Sequence, residues 1–387
     1  MVPRQWHVAD VTTLTALSLL IWLYLLLAHG RFWRSGPALE PTRGVGAPAV
    51  AVVVPARDEA TLIGQTLRSL LVQDYAGPLR IIVVDDASSD ATGAIARSMQ
   101  QQIRIPTRLL TVVAGKPRPP GWSGKLWAVA QGIAEAEGAE FVLLTDADIV
   151  HDPRHIATLV AHAERGDLDL VSEMVALACD SPAERALVPA FVFFFQLLYP
   201  FDWVNDPLRA TAAGAGGTML LHRRALRRIG GVSAVRGALI DDVALAAAVK
   251  RGGRIWLGHS TQARSLRAYP TAADIWRMVS RTAYVQLRFS PLLLIGTVLA
   301  MTLIFLLPPL AAVFGHGAAR WFGWLAWGAM AAAYQPTLHR FRRSVLWAPC
   351  LPVVAAFYLA ATIGAAVNHH LGRGVAWRGR AYQGAGA

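Results

Sequence analysis

Two aspartates spaced two residues apart, Asp146 and Asp148, directly follow an apolar run that begins at Phe141. In an extended segment, residues i and i+2 lie on the same face, so both carboxylates can contact one divalent cation. Mg²⁺ is commonly bound by one or two carboxylates together with substrate phosphates. The spacing therefore predicts a metal site for a diphosphate. The alternative is a solvated surface pair, since so short a motif also occurs by chance.

Polar residues also follow two earlier apolar runs. The run at 80–84 ends in Asp85 and Asp86, and the run at 49–54 ends at a proline followed by charged residues. A helical pattern of leucines at 62–71 separates them. Continuous Val/Ile runs that alternate with helical segments predict a mostly parallel α/β sheet covered on both faces, and ligands bind such sheets beyond the carboxyl ends of the strands. We therefore expect three strands to bring polar groups to one edge.

A further pair of carboxylates, Asp241 and Asp242, precedes a helical pattern at 243–250. A carboxylate placed there can act as the general base that removes a proton from a hydroxyl. The alternative interpretation is N-capping, because Asp is favoured at helix starts by its side-chain oxygen and by the helix dipole. The residues alone leave both interpretations open.

Lys125 and two glycines offer contacts to a ligand. Lys125 can contribute a positive charge to a diphosphate, the alternative being a solvated lysine at a helix start. The segment around it is not a P-loop, because Pro119 replaces the first glycine and Leu126 replaces the Ser/Thr. Gly216 and Gly217 permit close approach of the backbone to a sugar or an acceptor, or form a plain turn.

Taken together, six short segments within residues 48–290 resemble the family 2 glycosyltransferases, which are inverting nucleotide-sugar enzymes with a GT-A fold. They occur in the family's order: Val-Pro-Ala-Arg-Asp-Glu at 54–59, Val-Asp-Asp-Ala-Ser-Ser-Asp at 84–90, Gly-Lys at 124–125, Thr-Asp-Ala-Asp at 145–148, Gly-Ala-Gly-Gly at 214–217 and Ile-Asp-Asp at 240–242. The resemblance implies an α/β fold of the GT-A class, built on a mixed, mostly parallel sheet.

The resemblance also implies roles for individual residues. Asp242 is the implied base with Asp241 as its neighbour, while Asp148 holds Mg²⁺ or Mn²⁺ and Asp146 contacts the metal or the donor ribose. The implied nucleoside pocket is formed by Pro55, Ala56, Arg57, Glu59, Asp85 and Asp86. Uridine is the nucleoside that the resemblance implies, and nothing in the residue chemistry excludes guanosine.

A narrower resemblance is to the hopene-associated glycosyltransferases of bacterial hopanoid gene clusters. It depends on Trp-Ser-Gly-Lys-Leu-Trp at 122–127, Ala-Gly-Ala-Gly-Gly at 213–217, Leu-Ile-Asp-Asp at 239–242 and Arg-Thr-Ala-Tyr at 281–284. Processive polysaccharide synthases carry Gln-x-x-Arg-Trp after the base. Here Arg281 takes the place of the arginine as a donor-binding candidate, but the Gln and the Trp are missing, which disfavours polymer synthesis.

The mean hydropathy of +0.39 arises from a few long apolar stretches. Four of them are candidates for membrane spans of ~30 Å: 11–28, 291–314, 321–337 and 345–367. The last contains Pro349 and Pro352, so we expect a broken helix that is re-entrant or interfacial. The first could alternatively be a cleaved signal peptide with Arg4 as its charged region.

Five segments are predicted along the chain. They are an N-terminal transmembrane anchor at 1–30, a linker at 31–47, a GT-A catalytic domain at 48–271, an amphipathic interfacial helix at 272–290, and a C-terminal membrane region with a basic tail at 291–387. On the predicted interfacial helix, Arg277, Arg281 and Arg288 share one face and apolar residues share the other. The alternative is an ordinary surface helix packed on a core.

The formal net charge of +12 is concentrated beside the apolar stretches. No Asp or Glu follows Asp274, whereas ten arginines do: Arg277, Arg281, Arg288, Arg320, Arg340, Arg342, Arg343, Arg373, Arg378 and Arg380. Juxtamembrane arginines attract anionic lipid headgroups. Since no nucleic-acid-binding motif is present, the charge predicts membrane lipids as partners and no nucleic acid.

These features predict an inverting glycosyltransferase that moves one sugar from a UDP-sugar to a lipid hydroxyl, a hopanoid in particular. Because nucleotide sugars are cytoplasmic, we expect a multi-pass protein of the bacterial inner membrane whose catalytic domain faces the cytoplasm. Two alternatives remain: a transferase acting on polyprenyl phosphate or diacylglycerol, and a non-catalytic membrane scaffold that binds nucleotide sugars.

Overall fold

The computed structural model describes residues 5–42, 46–102, 107–372, 376–377 and 380–381. They divide into two compact units. The first, the sheet unit, contains Pro37–Ala178, Trp203–Ala268 and the described residues from 376 onward. The second, the helical unit, contains the described residues up to Gly36, then Cys179–Asp202, and those from Tyr269 to 372. Part of the predicted linker (43–45) and Arg4, Arg373 and Arg378 lie outside the described residues.

An eight-stranded sheet forms the centre of the sheet unit, in the order β3-β2-β1-β4-β7-β6-β8-β5. The strands are β1 Val50–Ala56, β2 Leu79–Asp85, β3 Arg108–Ala114, β4 Phe141–Leu144, β5 Ile149–His151, β6 Leu170–Ala176, β7 Met219–His222 and β8 Ile255–Ser265. β1 to β4 are parallel, β6 is parallel to β8, and β7 and β5 run antiparallel to their neighbours. The predicted mixed, mostly parallel sheet is confirmed. Two short strands, β9 Ala376–Trp377 and β10 Arg380–Ala381, pair with each other.

The helices complete both units. In chain order they are α1 Gln5–Leu27, α2 Ile63–Leu71, α3 Thr92–Gln102, α4 Gly124–Glu135, α5 His155–Gly166, α6 Pro182–Leu198, α7 Phe201–Asn205, α8 Arg223–Arg228, α9 Asp241–Lys250, α10 Ala272–Gln286, α11 Pro291–Met301, α12 Leu307–Phe314, α13 Gly317–Arg340 and α14 Leu351–His370. The helical unit contains α1, α6 and α10 to α14. A π-helical turn, Thr302–Leu306, joins α11 to α12.

The strand register explains why polar groups meet at one edge. β1 and β2 end level with each other, since Ala56 pairs with Asp85. β4 runs beside β1 on the other side, where Val53 pairs with Leu144 and the Thr145 N–H donates to the Val53 carbonyl over 3.2 Å. All seven residues of β1 are buried, as expected for a central parallel strand. The chain therefore leaves the sheet toward the same edge after β1, β2 and β4, as the sequence predicted.

The helical unit takes one segment from within the range predicted as the catalytic domain. Cys179–Asp202 belongs to this unit, and its helix α6 packs on α10, α13 and α14. The sequence of α6 contains three consecutive phenylalanines and a capping box from Ser181 and Glu184. An apolar sequence such as that of α6 is expected both in the core of a globular domain and among packed apolar helices. Its composition therefore did not predict that α6 belongs to the helical unit.

Within the part of the chain that the structure describes, three helical segments are long and apolar enough to cross a membrane: Asp10–Leu27, Pro291–Phe314 and Val345–His370. The predicted span at 321–337 lies in α13, which is not among them. The prediction that 345–367 is a broken helix is wrong. Pro349 lies in a 3₁₀ turn before α14 and Pro352 lies in the first turn of α14, where proline is tolerated because no helical N–H is lost.

The outer faces of these segments are apolar and uncovered. None of the residues of α11 is buried, and Leu292 and Val353 are 80% and 74% exposed. The inner faces are packed, as where Trp22 lies edge-on to Phe305 and donates to the Ile304 carbonyl. Contiguous exposed apolar surface of this extent marks a membrane or partner surface.

The predicted helix at 272–290 is present as α10. It begins with a capping box from Thr271 and Asp274 and ends at Gln286, so Arg288 lies beyond it. Its buried side is formed by Ile275, Val279 and Tyr284, while the three arginines predicted to share a face are exposed.

Candidate functional site

One pocket of the sheet unit is lined by residues from β1, α4, the end of β4, the glycine-rich loop at 214–217 and α9. Its lining residues are Pro55, Lys125, Leu126, Val129, Leu144, Thr145, Asp146, Gly216, Met219, Asp241, Asp242 and Leu245. Six predicted site residues are therefore brought together: Pro55, Lys125, Asp146, Gly216, Asp241 and Asp242.

Lys125 lies between two of the carboxylates. Ser123 caps the start of α4, and in the first turn of that helix Lys125 directs its Nζ to Asp146 Oδ1 at 2.9 Å and to Asp241 Oδ2 at 3.6 Å. Burial lowers the pKa of Lys125, but the charges of Asp146 and Asp241 outweigh burial and raise it. The alternative of a solvated lysine is wrong, because the side chain is 22% exposed and doubly paired.

Asp242 is held as a hydrogen-bond acceptor at the pocket wall. Its Oδ2 accepts from the Gly216 N–H at 2.9 Å and its Oδ1 from the Val243 N–H at 2.8 Å. Burial, followed by the charge of Asp241, raises the pKa of Asp242 to about 6, and Lys125 opposes the rise. A carboxyl group with that pKa is mostly ionised at neutral pH and remains basic enough to accept a proton.

The N-capping interpretation of the pair is wrong. The N-cap of α9 is Ile240, which makes no side-chain capping bond, and Asp241 and Asp242 occupy the first turn. That position still suits negative charge, because the positive end of the helix dipole lies there.

Asp148 lies beside the pocket and has a different set of partners. Arg267 donates to Asp148 Oδ2 from Nε at 2.9 Å and contacts Glu59 Oε1 from Nη2 at 2.6 Å, while Ser265 donates to the same Asp148 oxygen at 3.2 Å. Burial and the charge of Asp146 raise the pKa of Asp148, and Arg267 opposes the rise. Thus Asp146 and Asp148 pair with different cationic side chains.

The predicted extended geometry of the motif is wrong. β4 ends at Leu144, and the chain then turns, with the Ile149 N–H donating to the Asp146 carbonyl. The turn is why Asp146 faces Lys125 while Asp148 faces Arg267.

Five carboxylates of the described residues lie around Lys125 and Arg267. They are Glu59, Asp146, Asp148, Asp241 and Asp242. Among the described residues no cluster of three or more His, Cys, Asp or Glu side chains is arranged to hold a metal. Mg²⁺ is nevertheless commonly bound by one or two carboxylates plus phosphate oxygens. The excess negative charge and the raised pKa of Asp148 therefore fit a divalent cation held by Asp146 and Asp148.

Of the predicted nucleoside-binding residues, Pro55 lines the pocket and the others lie at or just after the ends of β1 and β2. Arg57 donates to the Asp86 carbonyl at 2.6 Å, and Asp85 accepts from the Ser88 N–H at 3.1 Å. Ala56 is fully buried and Glu59 is held by Arg267. These hydrogen bonds order the segments that follow β1 and β2.

The two predicted glycines differ in their surroundings. A Cβ on Gly216 would lie 3.1 Å from Lys125 Nζ and 3.5 Å from Asp242 Oδ2, whereas on Gly217 it would lie 3.0 Å from both Val175 methyl carbons. Gly216 therefore faces the pocket and Gly217 faces the core.

Arg281, the last predicted donor-binding residue, is exposed on α10 and belongs to the helical unit.

Two contributors were missed by sequence reasoning. Arg267 follows β8, and its only local signal is a basic residue after a strand end. The other is the buried pair His151 and His155, whose spacing of four suggests one helix face although His151 ends β5.

Comparisons with known proteins agree with this geometry. Residues 51–230 match the model of glycosyl transferase family 2. The chain is 29% identical to dodecaprenyl-phosphate galacturonate synthase from Rhizobium johnstonii over 139 residues, 34% of this chain. It is 32% identical to 4,4'-diaponeurosporenoate glycosyltransferase from Staphylococcus aureus over 101 residues, 26% of this chain. The matches span 39% and 24% of the lengths of these relatives.

A solved structure shares the fold. The mannosyltransferase PcManGT from Pyrobaculum calidifontis, determined with GDP-Man and Mn²⁺, superimposes with a TM-score of 0.55 at 20% sequence identity. The superposition covers 92% of this chain and 99% of that chain. Together with the sheet order, the superposition shows a GT-A fold, and residues 51–230 within it are similar to glycosyl transferase family 2.

Proposed function

We propose that this protein is a membrane-bound inverting glycosyltransferase that moves one sugar from a UDP-sugar to a lipid hydroxyl, a hopanoid in particular. The observation that carries the proposal is the Asp242 carboxylate. It lies on the pocket wall, is oriented by the Gly216 N–H, and has a pKa raised to about 6. A non-catalytic scaffold would have no need of a carboxylate tuned in this way.

The transfer step follows from that placement. Asp242 takes the proton of the acceptor hydroxyl while the hydroxyl oxygen forms a bond to the anomeric carbon. The bond from that carbon to the diphosphate oxygen breaks, and its electrons leave with the nucleoside diphosphate. A positioned base of this kind contributes about 10²- to 10⁴-fold to the rate. Asp241, with Lys125 beside it, tunes the base by charge.

Positive charge must balance the leaving diphosphate. We assign Asp146 and Asp148 to hold Mg²⁺ or Mn²⁺, which when bound supplies Lewis-acid stabilisation of the diphosphate. Lys125 and Arg267 add two fixed positive charges next to these carboxylates. Pro55, Arg57, Asp85 and Asp86, which were predicted to bind the nucleoside, then hold the nucleobase of the donor. Uridine is our choice, and the GDP-Man of PcManGT makes guanosine the competing one.

The helical unit supports a lipid acceptor. Its outer faces are apolar and exposed, and α10 presents arginines to solvent while burying its other side. An acceptor hydroxyl held at headgroup depth suits such a surface. The names of the two relatives specify dodecaprenyl phosphate and 4,4'-diaponeurosporenoate as substrates, which also favours a lipid. The dodecaprenyl-phosphate relative makes polyprenyl phosphate the main alternative acceptor.

The assay that tests the transferase is nucleotide release by the purified full-length protein. We expect UDP to be released from a UDP-sugar only when lipid extract and Mg²⁺ or Mn²⁺ are present. Release from GDP-sugars alone would change the donor. No release from any nucleotide sugar, with nucleotide binding retained, would favour the scaffold.

The acceptor is tested by lipid analysis of a deletion strain. We expect a sugar-bearing hopanoid to disappear and its unglycosylated precursor to accumulate. An unchanged hopanoid profile beside a missing polyprenyl or diacylglycerol glycoside would replace the acceptor and leave the transferase intact.

We further propose that the protein resides in the inner membrane with the sheet unit in the cytoplasm, because the donor is made there. Protease added to intact spheroplasts should spare Pro37–Ala178 and Trp203–Ala268, and protease added to inverted vesicles should cut them. The opposite pattern would contradict this orientation.

A further inference from the structure

A chain of hydrogen bonds lies inside the sheet unit and ends at the pocket. Glu173 Oε2 lies 2.7 Å from His155 Nε2, His155 Nδ1 lies 2.8 Å from His151 Nδ1, and His151 Nε2 lies 3.1 Å from Thr145 Oγ1. Thr145 donates to the Gly217 carbonyl at 2.7 Å. The first three side chains, called here the histidine chain, are at most 2% exposed.

The proton on Thr145 determines the direction of the chain. The hydroxyl has one proton and two neighbours, and the Gly217 carbonyl can only accept. Both contacts are therefore made only if His151 donates to Thr145 from Nε2. If His151 does not donate, Thr145 keeps one of its two contacts.

The bonds between His151, His155 and Glu173 also have a limited set of possible donors. Burial and the neighbouring His155 hold the pKa of His151 well below its usual range, so His151 is neutral and accepts through Nδ1. His155 must then donate through its own Nδ1. One further proton lies between His155 Nε2 and Glu173, as an imidazolium–carboxylate pair or as a neutral pair, and the chain is neutral overall in either case.

Two serine hydroxyl groups beside the histidine chain also have defined donor and acceptor roles. Ser260 accepts from the N–H groups of Gln262 and Ala263, so its own proton goes to Glu173 Oε2 at 2.7 Å. The Ser69 hydroxyl accepts from the backbone N–H of His151 at 3.1 Å. The bonds from His155 to His151, from His151 to Thr145 and from Thr145 to Gly217 therefore each have a defined donor.

The Thr145–Gly217 contact joins the two segments that carry the site. Thr145 precedes Asp146, which pairs with Lys125. Gly217 follows Gly216, whose N–H orients the base. A shift at this contact changes the position of the base relative to the donor site.

We propose that the histidine chain is a positioning device: its donation to Thr145 commits that hydroxyl to Gly217 and so locks together the two segments of the active site. The inference rests on the proposed function. His151, His155 and Glu173 are positioning residues, because none of them lines the pocket.

Two substitutions of one residue test the direction of donation. In His151→Gln the amide nitrogen reaches about as far as Nε2 and can still donate to Thr145, whereas in His151→Asn the amide reaches only to the position of Nδ1. We expect His151→Asn to lower kcat by about tenfold or more with donor Kd nearly unchanged, since small displacements of reacting groups are costly. We expect His151→Gln to restore most of kcat.

Matched controls separate positioning from general destabilisation. Tyr75→Phe removes another buried hydroxyl bond, 2.6 Å to the Pro48 carbonyl, and should leave kcat unchanged. Thr145→Val should reproduce the kcat loss, and adding His151→Asn to it should cause no further loss, because both break one contact. Equal kcat in the Asn and Gln variants, or additive losses, would overturn the proposal.

Two further measurements keep the outcome decisive. If the His151 variants do not fold, Thr145→Ser, which keeps the hydroxyl, must retain more kcat than Thr145→Val, and equality overturns the lock. If the wild-type protein transfers no sugar, the proposed function fails, and amide hydrogen exchange over 213–219 in the full-length chain still tests the lock. Faster exchange in His151→Asn than in His151→Gln supports it, and equal exchange rejects it.

Discussion

Two aspartate pairs of the sheet unit differ in what holds them. The pair after β4 has a separate cation for each member, Lys125 for Asp146 and Arg267 for Asp148. The pair at the start of α9 shares Lys125 unequally: its Nζ lies 3.6 Å from Asp241, whereas Asp242 accepts mainly backbone N–H groups. Burial raises the pKa of one member in each pair.

One residue type thus acquires two roles through its surroundings. A carboxylate that is paired with a lysine or arginine side chain can bind a metal ion and a diphosphate together with that side chain. A carboxylate fixed by backbone donors keeps its orientation and can receive a proton instead. Environments that differ in this way separate acid–base groups from charge-binding groups in many enzymes.

The strongest test of the comparison is removal of the base. We expect Asp242→Asn to lower sugar transfer by about 10²-fold or more while metal-dependent UDP affinity is kept. Transfer rate and UDP Kd are measured on the same protein. Asp241→Asn is the matched control and should lose less, and the reverse order would move the base to Asp241.

The second test removes the proposed metal ligand. Asp148→Asn should weaken Mn²⁺-dependent nucleotide binding by about tenfold or more, since even residues that only support metal ligands change affinity by that factor. Binding is measured by titration calorimetry with and without Mn²⁺. Asp152→Asn, an exposed acid four residues later, is the control and should bind normally. Loss of transfer with unchanged Mn²⁺ dependence would contradict the assignment.

The third test concerns the charge that Lys125 supplies to the base. Transfer needs the Asp242 carboxylate, so the wild-type rate should rise with pH through about 6. Lys125 lowers the pKa of Asp242, so Lys125→Met should raise that pKa and move the ascending limb to higher pH. Lys125→Arg keeps the charge and should keep the limb. The pH dependence of kcat is the measurement, and an unmoved limb in Lys125→Met would show that the base is not Asp242.

The smallest effect is expected at Gly216. A Cβ there would press on Lys125 Nζ at 3.1 Å, so the side chain must move by a few tenths of an ångström. We expect Gly216→Ala to lower kcat by about three- to tenfold, less than a full displacement of the base. Gly296→Ala, where a Cβ meets nothing within 4 Å, is the control. An unaltered kcat in Gly216→Ala would mean that the lysine position is not critical.

Much of the fold was predictable because it is encoded locally. The Val/Ile run of β1 and the leucine pattern of α2 have the periods of a buried strand and an amphipathic helix, and both elements formed within one or two residues of the predicted positions. The parallel sheet then required the chain to leave at one edge, which placed Asp146 near the end of β1. Membership of Cys179–Asp202 in the helical unit was not predictable, because apolar composition alone does not distinguish a domain core from a membrane-facing helix.

The candidate carboxylates could be identified from the amino-acid sequence, since their types and their places after strands and before a helix are local properties. Their partners depend on how distant segments pack together. Arg267 reaches Asp148 across 119 positions of the chain, and Gly216 reaches Asp242 across 26. Glu173 and His151 come from different strands, β6 and β5, and His155 on α5 joins them. Electrostatic and hydrogen-bond partners are set by distances of a few ångströms, which no sequence period encodes, and these partners separate a metal ligand from a base.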